Sequence, residues 1–600
     1  MLRIWGGGKY EDDALYQIAD EYGIFLWHDM MFACALYETD KAFLESVAVE
    51  VTQQIRRLQH HPSIAIWAGN NENEVAIATG WWKKEMKEAD LPRKIKKIYR
   101  TWSDLGIPGP KPRFLIGNGL DIIRNSRAEI DSKWARQYGS IYGYYMGVFP
   151  NLVITDPELV KQVFVKDFPH FVNRLRLNAY HELWNTNLLL AEDEDWKRIR
   201  TIVTPAFTSG KLKSMQGLMS QCIEKLSTYL NKVAAKEGGG IITDTKQVFS
   251  GFAIDIIAST SFGTETNANG DRETEDPLVH NGRELFKVRP LQTFTALALP
   301  RWFNNLVGNK TLFRLAPFEF FISLMREIVK QRKGHQKTKT RPDLVQLMID
   351  AAVDEQAMKE VKFEQLAASN EEGEETVFSS SGKQKSTLSD NEIIASSILF
   401  FNAGFETTSG TIVHCCFEMA KNPEVQERLY QKIVAATEGL EPRSEEFFDV
   451  VVNRLPYLEA TIMETLRLYP PIAILLRRLK TDGYVLAGHR LPFDTTVEVA
   501  TYYIHHNEAY YPDPESFQPE RFLPENKHKL VPYTFLPFGS GPRNCVGMRF
   551  ALQEIKLCFA TILKQFRFER APGTPDAIEF GKGAPLLLSK TFPLKIVKRQ

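Results

Sequence analysis

Cysteine is scarce in this sequence, with six residues in a chain of 600. The six are widely spaced, and none lies in a CxxC or Cys/His pattern, so the sequence predicts neither a disulfide framework nor a structural zinc site. Long apolar runs are also missing, and without 18 continuous apolar residues we expect no transmembrane helix. The scattered cysteines are typical of a protein in a reducing compartment. The opening MLRIWGGGKYEDD lacks the basic start and apolar core of a secretory signal, so we expect no such signal.

A charge excess of either sign is absent as well, because Lys plus Arg and Asp plus Glu each number 74. No chain-wide field would attract nucleic acid, and we expect no nucleic-acid partner. The composition, 44% hydrophobic and 25% charged, is that of a globular protein able to bury a large core.

The chain divides by pattern into a short α/β segment and a long helical one. In the short segment, Ile24–Trp27 and Ser63–Trp67 are predicted strands, and Lys41–Leu58 has helical periodicity. Residues 83–100 then carry eight basic and three acidic residues before a cluster of Pro and Gly at 108–112, which indicates a boundary.

Helical patterns dominate after that boundary, and the longest predicted helix is Asn391–Ala420. We predict strands at Ser140–Tyr145, Asn151–Ile154 and Thr496–Thr501. The polar stretch Ser369–Asp390 is predicted to be a loop.

The strongest chemical signal is the segment Phe538-Gly-Ser-Gly-Pro-Arg-Asn-Cys-Val-Gly547. A cysteine in a glycine-rich turn before a helix receives backbone N–H groups, which lower its pKa and favour the thiolate. Cys545 would then act as a nucleophile or as a metal ligand. An isolated cysteine at a helix start is more often a buried structural residue.

This segment resembles the haem-binding loop of the cytochrome P-450 monooxygenases. The resemblance implies a mainly α cytochrome P-450 fold with small β-sheets, and haem b as the cofactor. It makes Cys545 the thiolate ligand of the haem iron, a ligand that favours O–O cleavage. Arg543 would then face a haem propionate, Phe538 would cover the sulfur, and Gly541 and Gly547 would let the backbone pass close to the porphyrin.

Two further elements fit the same family. Glu464 and Arg467 lie three residues apart on one helix, and alone such a pair is typically a surface ion pair worth under about 1 kcal/mol. Together with Arg521 in the sequence Pro-Glu-Arg-Phe, they resemble the family's ExxR and PERF elements. The resemblance implies a buried structural network that braces the cysteine loop.

The segment Ala403-Gly-Phe-Glu-Thr407 lies within the long predicted helix. A threonine here can simply bond to a carbonyl one turn earlier. By resemblance, Ala403 and Gly404 leave room for O2 beside the haem, and Glu406 and Thr407 are catalytic residues that relay protons to it.

Trp196 and Arg200 lie four residues apart on one helix face and resemble the family's haem-propionate ligands. Arg478 resembles another propionate ligand, although Arg477 adjoins it and leaves that choice open. A haem carries two carboxylates, which must be paired if they are buried.

The resemblance covers residues 97–600 and is strongest to the microsomal, drug-metabolising and thromboxane-synthase branch. It implies O2, a small apolar organic substrate and an NADPH-dependent cytochrome reductase as partners, with cytochrome b5 as an additional donor. It also implies the cytosolic face of the endoplasmic reticulum membrane, although no N-terminal anchor is found, which leaves a cytoplasmic location open. The apolar stretch Leu291–Leu315 is a candidate for peripheral membrane contact, with ordinary helix packing as the alternative.

Residues 1–85 resemble a different family, the retaining β-mannosidases, as an incomplete α/β piece of a TIM-barrel-like (β/α)8 fold. The resemblance is carried by MLRIWGGGKYE, FLWHDMMFACALY and HHPSIAIWAGNNENE. It makes Glu72 a vestigial acid/base, whereas alone Glu72 would be a solvated loop carboxylate. Retaining glycosidases need a second carboxylate from a later strand, which is absent here, so we expect no hydrolase activity.

The predicted domains are a glycosidase-like fragment over 1–85, a basic linker over 86–100 and a monooxygenase domain over 101–600. The joining of two families indicates a gene fusion or a gene-model error. The sequence favours a haem-thiolate monooxygenase, with a β-mannosidase and a non-catalytic haem-binding fusion product as the alternatives.

Overall fold

A computed structural model gives the architecture of the chain. It describes residues 1–5, 10–30, 41–68, 91–175, 177–179, 181–236, 238–270, 276–285, 287, 289–299, 301–334, 343–354, 361–368, 385–583 and 586–599. The chain divides into two compact units, Met1–Lys97 and Ile98–Gln600.

The first unit is an α/β arrangement. Its elements alternate along the chain as β1 Leu2–Ile4, α1 Asp13–Glu21, β2 Leu26–Asp29, α2 Lys41–Leu58 and β3 Ile64–Ala68. The strands are parallel and hydrogen-bond in the order β1-β2-β3. Tyr16, Leu26 and Leu58 are fully buried in the core that the helices and the sheet share. The α/β class agrees with the sequence, and the described residues of this unit hold three strands where a closed barrel needs eight.

From residue 91 onward the chain is mainly helical. The α-helices are α3 Leu91–Ile98, α4 Thr101–Asp104, α5 Gly119–Arg124, α6 Arg127–Tyr138, α7 Pro157–Lys161, α8 Asp193–Val203, α9 Ser209–Ser214, α10 Gln216–Ala234, α11 Thr245–Ile257, α12 Pro277–Leu285, α13 Pro290–Ala298, α14 Arg301–Leu306, α15 Leu315–Gly334, α16 Leu344–Asp350, α17 Asp390–Lys421, α18 Pro423–Ala436, α19 Glu445–Asn453, α20 Pro456–Leu468, α21 Thr501–His505 and α22 Met548–Gln565. Short 3-10 turns cover Phe168–His170, Trp184–Thr186, Thr204–Phe207, Phe363–Leu366, Pro519–Phe522 and Pro524–Lys529, and π-helical turns cover Gln162–Lys166 and Ala258–Phe262.

Helix α17 forms the centre of the large core. A capping box starts it: the Ser389 hydroxyl accepts from the Glu392 N–H, and the Glu392 carboxylate accepts from the Ser389 N–H. The helix has 32 residues, and most are buried, with α11, α15 and α20 among the elements that pack against it. A helix that is apolar on nearly all sides belongs in the interior of a large domain.

Small sheets border the helices. The strands are β4 Ile141–Met146, β5 Phe149–Ile154, β6 Gly240–Ile242, β7 Ala352–Asp354, β8 Lys385–Thr387, β9 Ile474–Arg478, β10 Val485–Leu486, β11 His489–Arg490, β12 Thr496–Ala500, β13 Phe566–Arg570 and β14 Leu594–Lys598. The largest sheet has the order β4-β5-β12-β9, in which β5 and β12 are parallel and the other pairs are antiparallel. The others are β13-β14-β6, β10-β11 and β7-β8. This mainly helical arrangement agrees with the expected fold class.

Most predicted elements are present within two residues of their expected bounds, and α2 has the bounds that were predicted. The predicted loop Ser369–Asp390 differs at its end, because Lys385–Thr387 forms β8 and Asp390 begins α17 behind the Ser389 cap. Its residues 369–384 lie outside the described residues.

The apolar stretch Leu291–Leu315 contains α13 and α14. Several of its large apolar side chains are exposed, namely Leu291, Leu306, Val307 and Leu315. Nowhere in the described part of the chain is there a helix with the length and apolar character needed to cross a membrane.

Candidate active site

Cys545 lies in the loop that precedes α22. Its N–H donates to the Phe538 carbonyl oxygen at 2.9 Å, which closes the loop, and the Gly547 N–H donates to its sulfur. Gly541 has a φ of +70°, and a Cβ there would lie 1.9 Å from the Phe164 carbonyl oxygen, so this approach requires glycine.

The pKa of the Cys545 thiol is raised, because burial disfavours the charged thiolate. The Gly547 N–H and the guanidinium groups of Arg200 and Arg174 act in the opposite direction. The expectation of a lowered pKa is therefore wrong for the protein alone, since desolvation is the larger effect. A metal ion deprotonates a thiol that coordinates it, so the raised pKa does not oppose a ligand role.

Two of the arginines predicted to lie at the haem are buried beside this loop. Arg200 donates from Nε and Nη2 to the Leu366 carbonyl oxygen, at 3.1 and 2.9 Å, and from Nη1 to the Asn544 carbonyl oxygen at 3.1 Å. Arg543 donates to two backbone carbonyl oxygens at 2.7 Å each. Both side chains are thus held in place by the backbone, and neither has a carboxylate partner among the described residues.

Arg174 and Arg477 join these two arginines in one buried cluster. Burial lowers the pKa of Arg174 to about 10 and of Arg200 to about 9, and it lowers the pKa of Arg477 and Arg543 well below the ordinary value. The Nε atoms of Arg174, Arg477 and Arg543 are buried without a hydrogen-bond partner. The cluster therefore concentrates positive charge that no described carboxylate neutralises by an ion pair.

This donor set fits a haem. The cysteine could provide a sulfur ligand for the iron at the end of a closed loop, and the four arginines could provide buried N–H donors for two propionates. Guanidinium groups are the natural partners of carboxylates that leave water. The sequence did not single out Arg174, because a basic residue in an irregular segment is usually a surface residue.

Arg478 lies outside the arginine cluster. Successive side chains of a strand point to opposite faces, and on β9 this separates Arg477 from Arg478. Arg478 pairs with Glu192 and, from Nε, with Asp494 at 3.2 Å. Arg477 is 2% exposed, and its guanidinium carbon lies 4.3 Å from the ring centroid of Phe164. Of the two alternatives in the sequence, the geometry brings Arg477 to the cluster.

Trp196 is buried beside Arg543, whose guanidinium carbon lies 4.8 Å from the centroid of the indole ring. The rings of Phe168 and Phe363 flank it, at centroid distances of 5.7 and 6.4 Å. Helix α8 brings Trp196 and Arg200 to the same place, as their spacing predicts. The contact that Trp196 makes is a cation–π contact that orients Arg543.

Glu464 and Arg467 form a fully buried ion pair rather than a surface one. Two hydrogen bonds of 2.7 Å join the guanidinium group to the carboxylate. Arg521 lies 3.4 Å from the same carboxylate, and the Gln518 N–H donates to it at 2.9 Å. Burial raises the pKa of Glu464, while Arg467 opposes that shift. The three predicted residues therefore meet in one network.

His505 connects this network to the cysteine loop. Its Nε2 accepts from the Leu536 N–H at 2.9 Å, so Nδ1 carries the proton and donates to the Arg467 carbonyl oxygen at 3.0 Å. Arg467 in turn donates to the His505 carbonyl oxygen at 2.9 Å. Sequence reasoning missed His505, because a histidine at the end of a short helix carries no motif.

An accessible stripe runs along the otherwise buried helix α17. Ala403 is exposed and Thr407 and Gly410 are half-buried, and these positions share one helix face. The Thr407 hydroxyl donates to the Ala403 carbonyl oxygen one turn earlier, which is the alternative that the sequence left open. Along this face, unlike the rest of α17, the side chains are not fully covered by neighbouring residues.

Gly404 faces a neighbouring helix. A Cβ at this position would lie 2.5 Å from the Cδ1 atom of Ile257 on α11. A side chain at Gly404 would therefore make the Ile257 side chain shift, so glycine eases the contact between α11 and α17. Of the two residues predicted to leave room for O2, Ala403 lies on the accessible stripe, whereas Gly404 lies against α11.

Glu406 is buried at the edge of the stripe. Its Oε2 lies 3.4 Å from Nζ of Lys246, which belongs to α11. Burial raises the pKa of the Glu406 carboxyl, and Lys246 opposes the shift. Glu72, the vestigial acid/base of the other resemblance, lies outside the described residues.

Comparisons with known proteins identify the family of the chain. A family profile described as Cytochrome P450 matches residues 107–596. Lithocholate 6-beta-hydroxylase of Mesocricetus auratus is 34% identical over 506 residues, which cover 83% of this chain and 92% of that protein. Cytochrome P450 3A29 of Sus scrofa is 35% identical over 513 residues, covering 84% and 94%, and Cytochrome P450 3A28 of Bos taurus is 36% identical over 511 residues, covering 84% and 93%.

The family match spans most of the unit in which Cys545, the buried arginines and the Glu464 network lie. Family membership brings with it a haem cofactor, molecular oxygen, an organic substrate and a redox partner that supplies electrons. The chain belongs to the cytochrome P450 family and is a haem-thiolate monooxygenase.

Proposed function

We propose that the Cys545 thiolate would hold the iron of a haem b and that the enzyme inserts one oxygen atom from O2 into a small apolar organic substrate. When bound, the haem supplies the activation of O2, which thiolate ligation favours. The observation that carries the proposal is the convergence of Cys545 with four buried arginines that have no carboxylate partner among the described residues. The name of one relative, lithocholate 6-beta-hydroxylase, makes an acidic steroid the first substrate to test.

Three kinds of residue would hold the haem. Arg174, Arg200, Arg477 and Arg543 would pair with its propionates, and Trp196 would orient Arg543. Phe538, Gly541 and Gly547 would shape the loop that presents the sulfur. Arg478 is the alternative to Arg477, and it would reach a propionate only by giving up its carboxylate partners Glu192 and Asp494.

Glu464, Arg467 and Arg521 would act as a structural brace. His505 supports this role, because its two hydrogen bonds join Arg467 to the residue two positions before Phe538. No substrate needs to reach these side chains for the brace to act.

Glu406 and Thr407 would deliver protons on the O2 side of the haem. The raised pKa of Glu406 keeps its carboxyl protonated for longer as the pH rises, so it can donate to the Thr407 hydroxyl as that hydroxyl releases its own proton. The Thr407 hydroxyl must first leave the Ala403 carbonyl oxygen. Ala403 leaves room for O2 beside it, and Gly404 contributes by allowing α11 to approach.

Replacing Thr407 tests this relay. In Thr407→Ala we expect the hydrogen peroxide released per electron donor consumed to rise about tenfold. Without the Thr407 hydroxyl, protons are delivered less efficiently, and more of the reduced oxygen leaves as peroxide instead of entering the product. The measurement is the ratio of peroxide to product in the haem-loaded enzyme. A ratio equal to that of the unaltered enzyme would contradict the assignment.

We propose an NADPH-dependent cytochrome reductase as the electron donor, with cytochrome b5 as an additional donor, and the cytosolic face of the endoplasmic reticulum as the location. The microsomal branch that the motifs resemble supports these assignments. The exposed apolar side chains of α13 and α14, among them Leu291 and Leu306, support a peripheral contact with that membrane.

For the rest of the chain we propose the domain boundaries 1–85, 86–100 and 101–600, with residues 1–85 a TIM-barrel-like β-mannosidase fragment joined by gene fusion or gene-model error. The parallel order β1-β2-β3 with intervening helices supports a barrel origin. Three strands cannot close a barrel, so Glu72 would have no catalytic partner and the fragment no hydrolase activity.

A further inference from the structure

We propose that His414 positions a water molecule beside Glu406 and so extends the proton relay proposed above, on which this inference rests. Glu406, Gly410 and His414 follow one another at intervals of four residues along α17. Side chains four residues apart are neighbours on a helix surface, so the three positions form one row.

Gly410 leaves a gap in the middle of this row. Apart from its chain neighbours and the surrounding backbone of α17, no atom of the described residues lies within 4 Å of the place that a Cβ of Gly410 would take. A small cavity of about 10 Å³ lies here, enough for the centre of about one water molecule. The cavity is lined by Glu406, Thr407, Gly410, Thr411, His414, Pro471 and Leu586–Leu588.

Two polar side chains that line the cavity have unused hydrogen-bonding capacity. Both ring nitrogens of His414, which is 2% exposed, are buried without a hydrogen bond. Oε2 of Glu406 is buried with only the Lys246 ammonium group nearby among the described residues, at 3.4 Å, and can accept a further hydrogen bond. A buried polar group left unsatisfied is unfavourable, and a buried water usually makes two to four hydrogen bonds. The hydroxyl oxygens of Thr407 and Thr411, whose protons go to backbone carbonyls, offer further acceptors.

His414 stays neutral in this position. Burial lowers its pKa to about 3, and the charge of Lys246 acts in the same direction. The other groups that face it are the ring of Tyr469, at a centroid distance of 4.9 Å, and that of Phe580 at 6.2 Å; the Tyr469 hydroxyl donates to Glu418. A neutral imidazole has one acceptor nitrogen, which takes one O–H of the water and leaves the second O–H for Glu406.

The proton balance of the relay is then complete. Glu406 gives its proton to Thr407, and the water returns a proton to Glu406 Oε2. A proton from solvent then restores the water. Lys246, whose side chain is 27% exposed and whose Nζ lies 3.4 Å from that oxygen, stabilises the carboxylate while Glu406 is deprotonated. His414 keeps its own proton throughout, so it is a positioning residue.

Two variants on the row test the proposal against a control elsewhere on α17. His414→Phe removes the acceptor, and Gly410→Ala fills the gap without a clash and with the better helix former. In the haem-loaded enzyme supplied with reductase and NADPH, we expect both to raise peroxide released per NADPH at least about threefold. Ser397→Ala, which removes a hydroxyl bonded to the Ile393 carbonyl oxygen, is expected to change nothing.

A high-resolution crystal structure of the holoenzyme gives a readout independent of activity. We expect an ordered water in the Gly410 gap within hydrogen-bond distance of His414 and Glu406, and its absence would overturn the proposal. Unchanged coupling in Gly410→Ala would do so as well, and this variant decides the matter if His414→Phe does not fold. If Thr407→Ala raises peroxide release but Gly410→Ala does not, the relay stands and the proposed water is wrong. If Thr407→Ala leaves peroxide release unchanged, the relay itself is wrong.

Discussion

Four guanidinium groups buried around one thiol are unfavourable for the polypeptide on its own. A buried charge without a partner costs several kcal/mol, and the lowered pKa values of Arg174, Arg200, Arg477 and Arg543 express that cost. Two propionates would supply the missing negative charge. At the scale of single residues, the site is therefore built for a dianionic ligand, and it should hold that ligand tightly.

Arg477 and Arg478 give the sharpest residue-scale test. We expect Arg477→Gln to speed the loss of haem about tenfold, because it removes a buried donor, whereas Arg478→Gln should change the rate less than about twofold. The measurement is haem transfer from the holoenzyme to an acceptor protein. Faster loss from Arg478→Gln than from Arg477→Gln would show that the propionate partner is Arg478.

At the scale of elements, α20 is tied to the cysteine loop by a short series of buried bonds. The Glu464 carboxylate on α20 lies between Arg467 and Arg521, and His505 at the end of α21 joins Arg467 to Leu536. Removing one member of a buried ion pair leaves the other charge unpaired, and this costs more than the pair contributes.

We expect Glu464→Gln to lower the free energy of unfolding by about 3–5 kcal/mol, since it leaves the buried guanidinium group of Arg467 without a counter-charge and weakens the contact with the half-buried Arg521. Denaturant titration of the holoenzyme measures this. Asp576→Asn, which breaks the exposed pair with Arg570, is the matched control and should leave the midpoint unchanged. Equal midpoints for Glu464→Gln and the unaltered protein would contradict a bracing role.

His505 makes the same connection sensitive to acid. Burial lowers its folded-state pKa to about 3, while an unfolded histidine titrates near 6.5, so the unfolded chain binds the proton first as the pH falls. Its contribution to stability is therefore full above about pH 6.5 and is lost progressively towards pH 3.

We expect the unfolding free energy of His505→Gln to fall less steeply with decreasing pH than that of the unaltered protein. Around pH 5.5 the two slopes should differ by about 1 kcal/mol per pH unit. The exposed His528→Gln is the control, and parallel slopes for His505→Gln and the unaltered protein would show that His505 does not titrate this way.

At the scale of the whole molecule, the site joins segments that are far apart in the chain. Arg543 donates to the carbonyl oxygen of Val172, 371 residues away, and Arg200 to that of Leu366, 166 residues away. Such contacts form only when the unit from Ile98 to Gln600 has folded as a whole. Haem binding through this loop would therefore indicate that the entire unit has folded.

The difference between local sequence patterns and contacts between distant segments explains which features could be predicted from the sequence. Cys545, Glu464 and Arg467 lie in short patterns with a chemical reason for their spacing, and each is placed as its pattern implies. Arg174 and His505 were missed because their roles depend on contacts across the chain, which no local pattern records. The direction of the Cys545 pKa was wrong because the depth of burial is a property of the folded unit. Gly404 has its reason in Ile257 on another helix.

The central claim, that the Cys545 thiolate holds a haem in the folded unit, is tested most directly by one spectrum. We would reduce the full-length protein with dithionite, add CO and record the absorption difference, alongside Cys545→Ala. The account predicts a strongly red-shifted Soret band for the unaltered protein and its loss in Cys545→Ala, since only thiolate ligation produces that band. Persistence of the red-shifted band in Cys545→Ala, or only the shorter-wavelength band in the unaltered protein, would contradict the account.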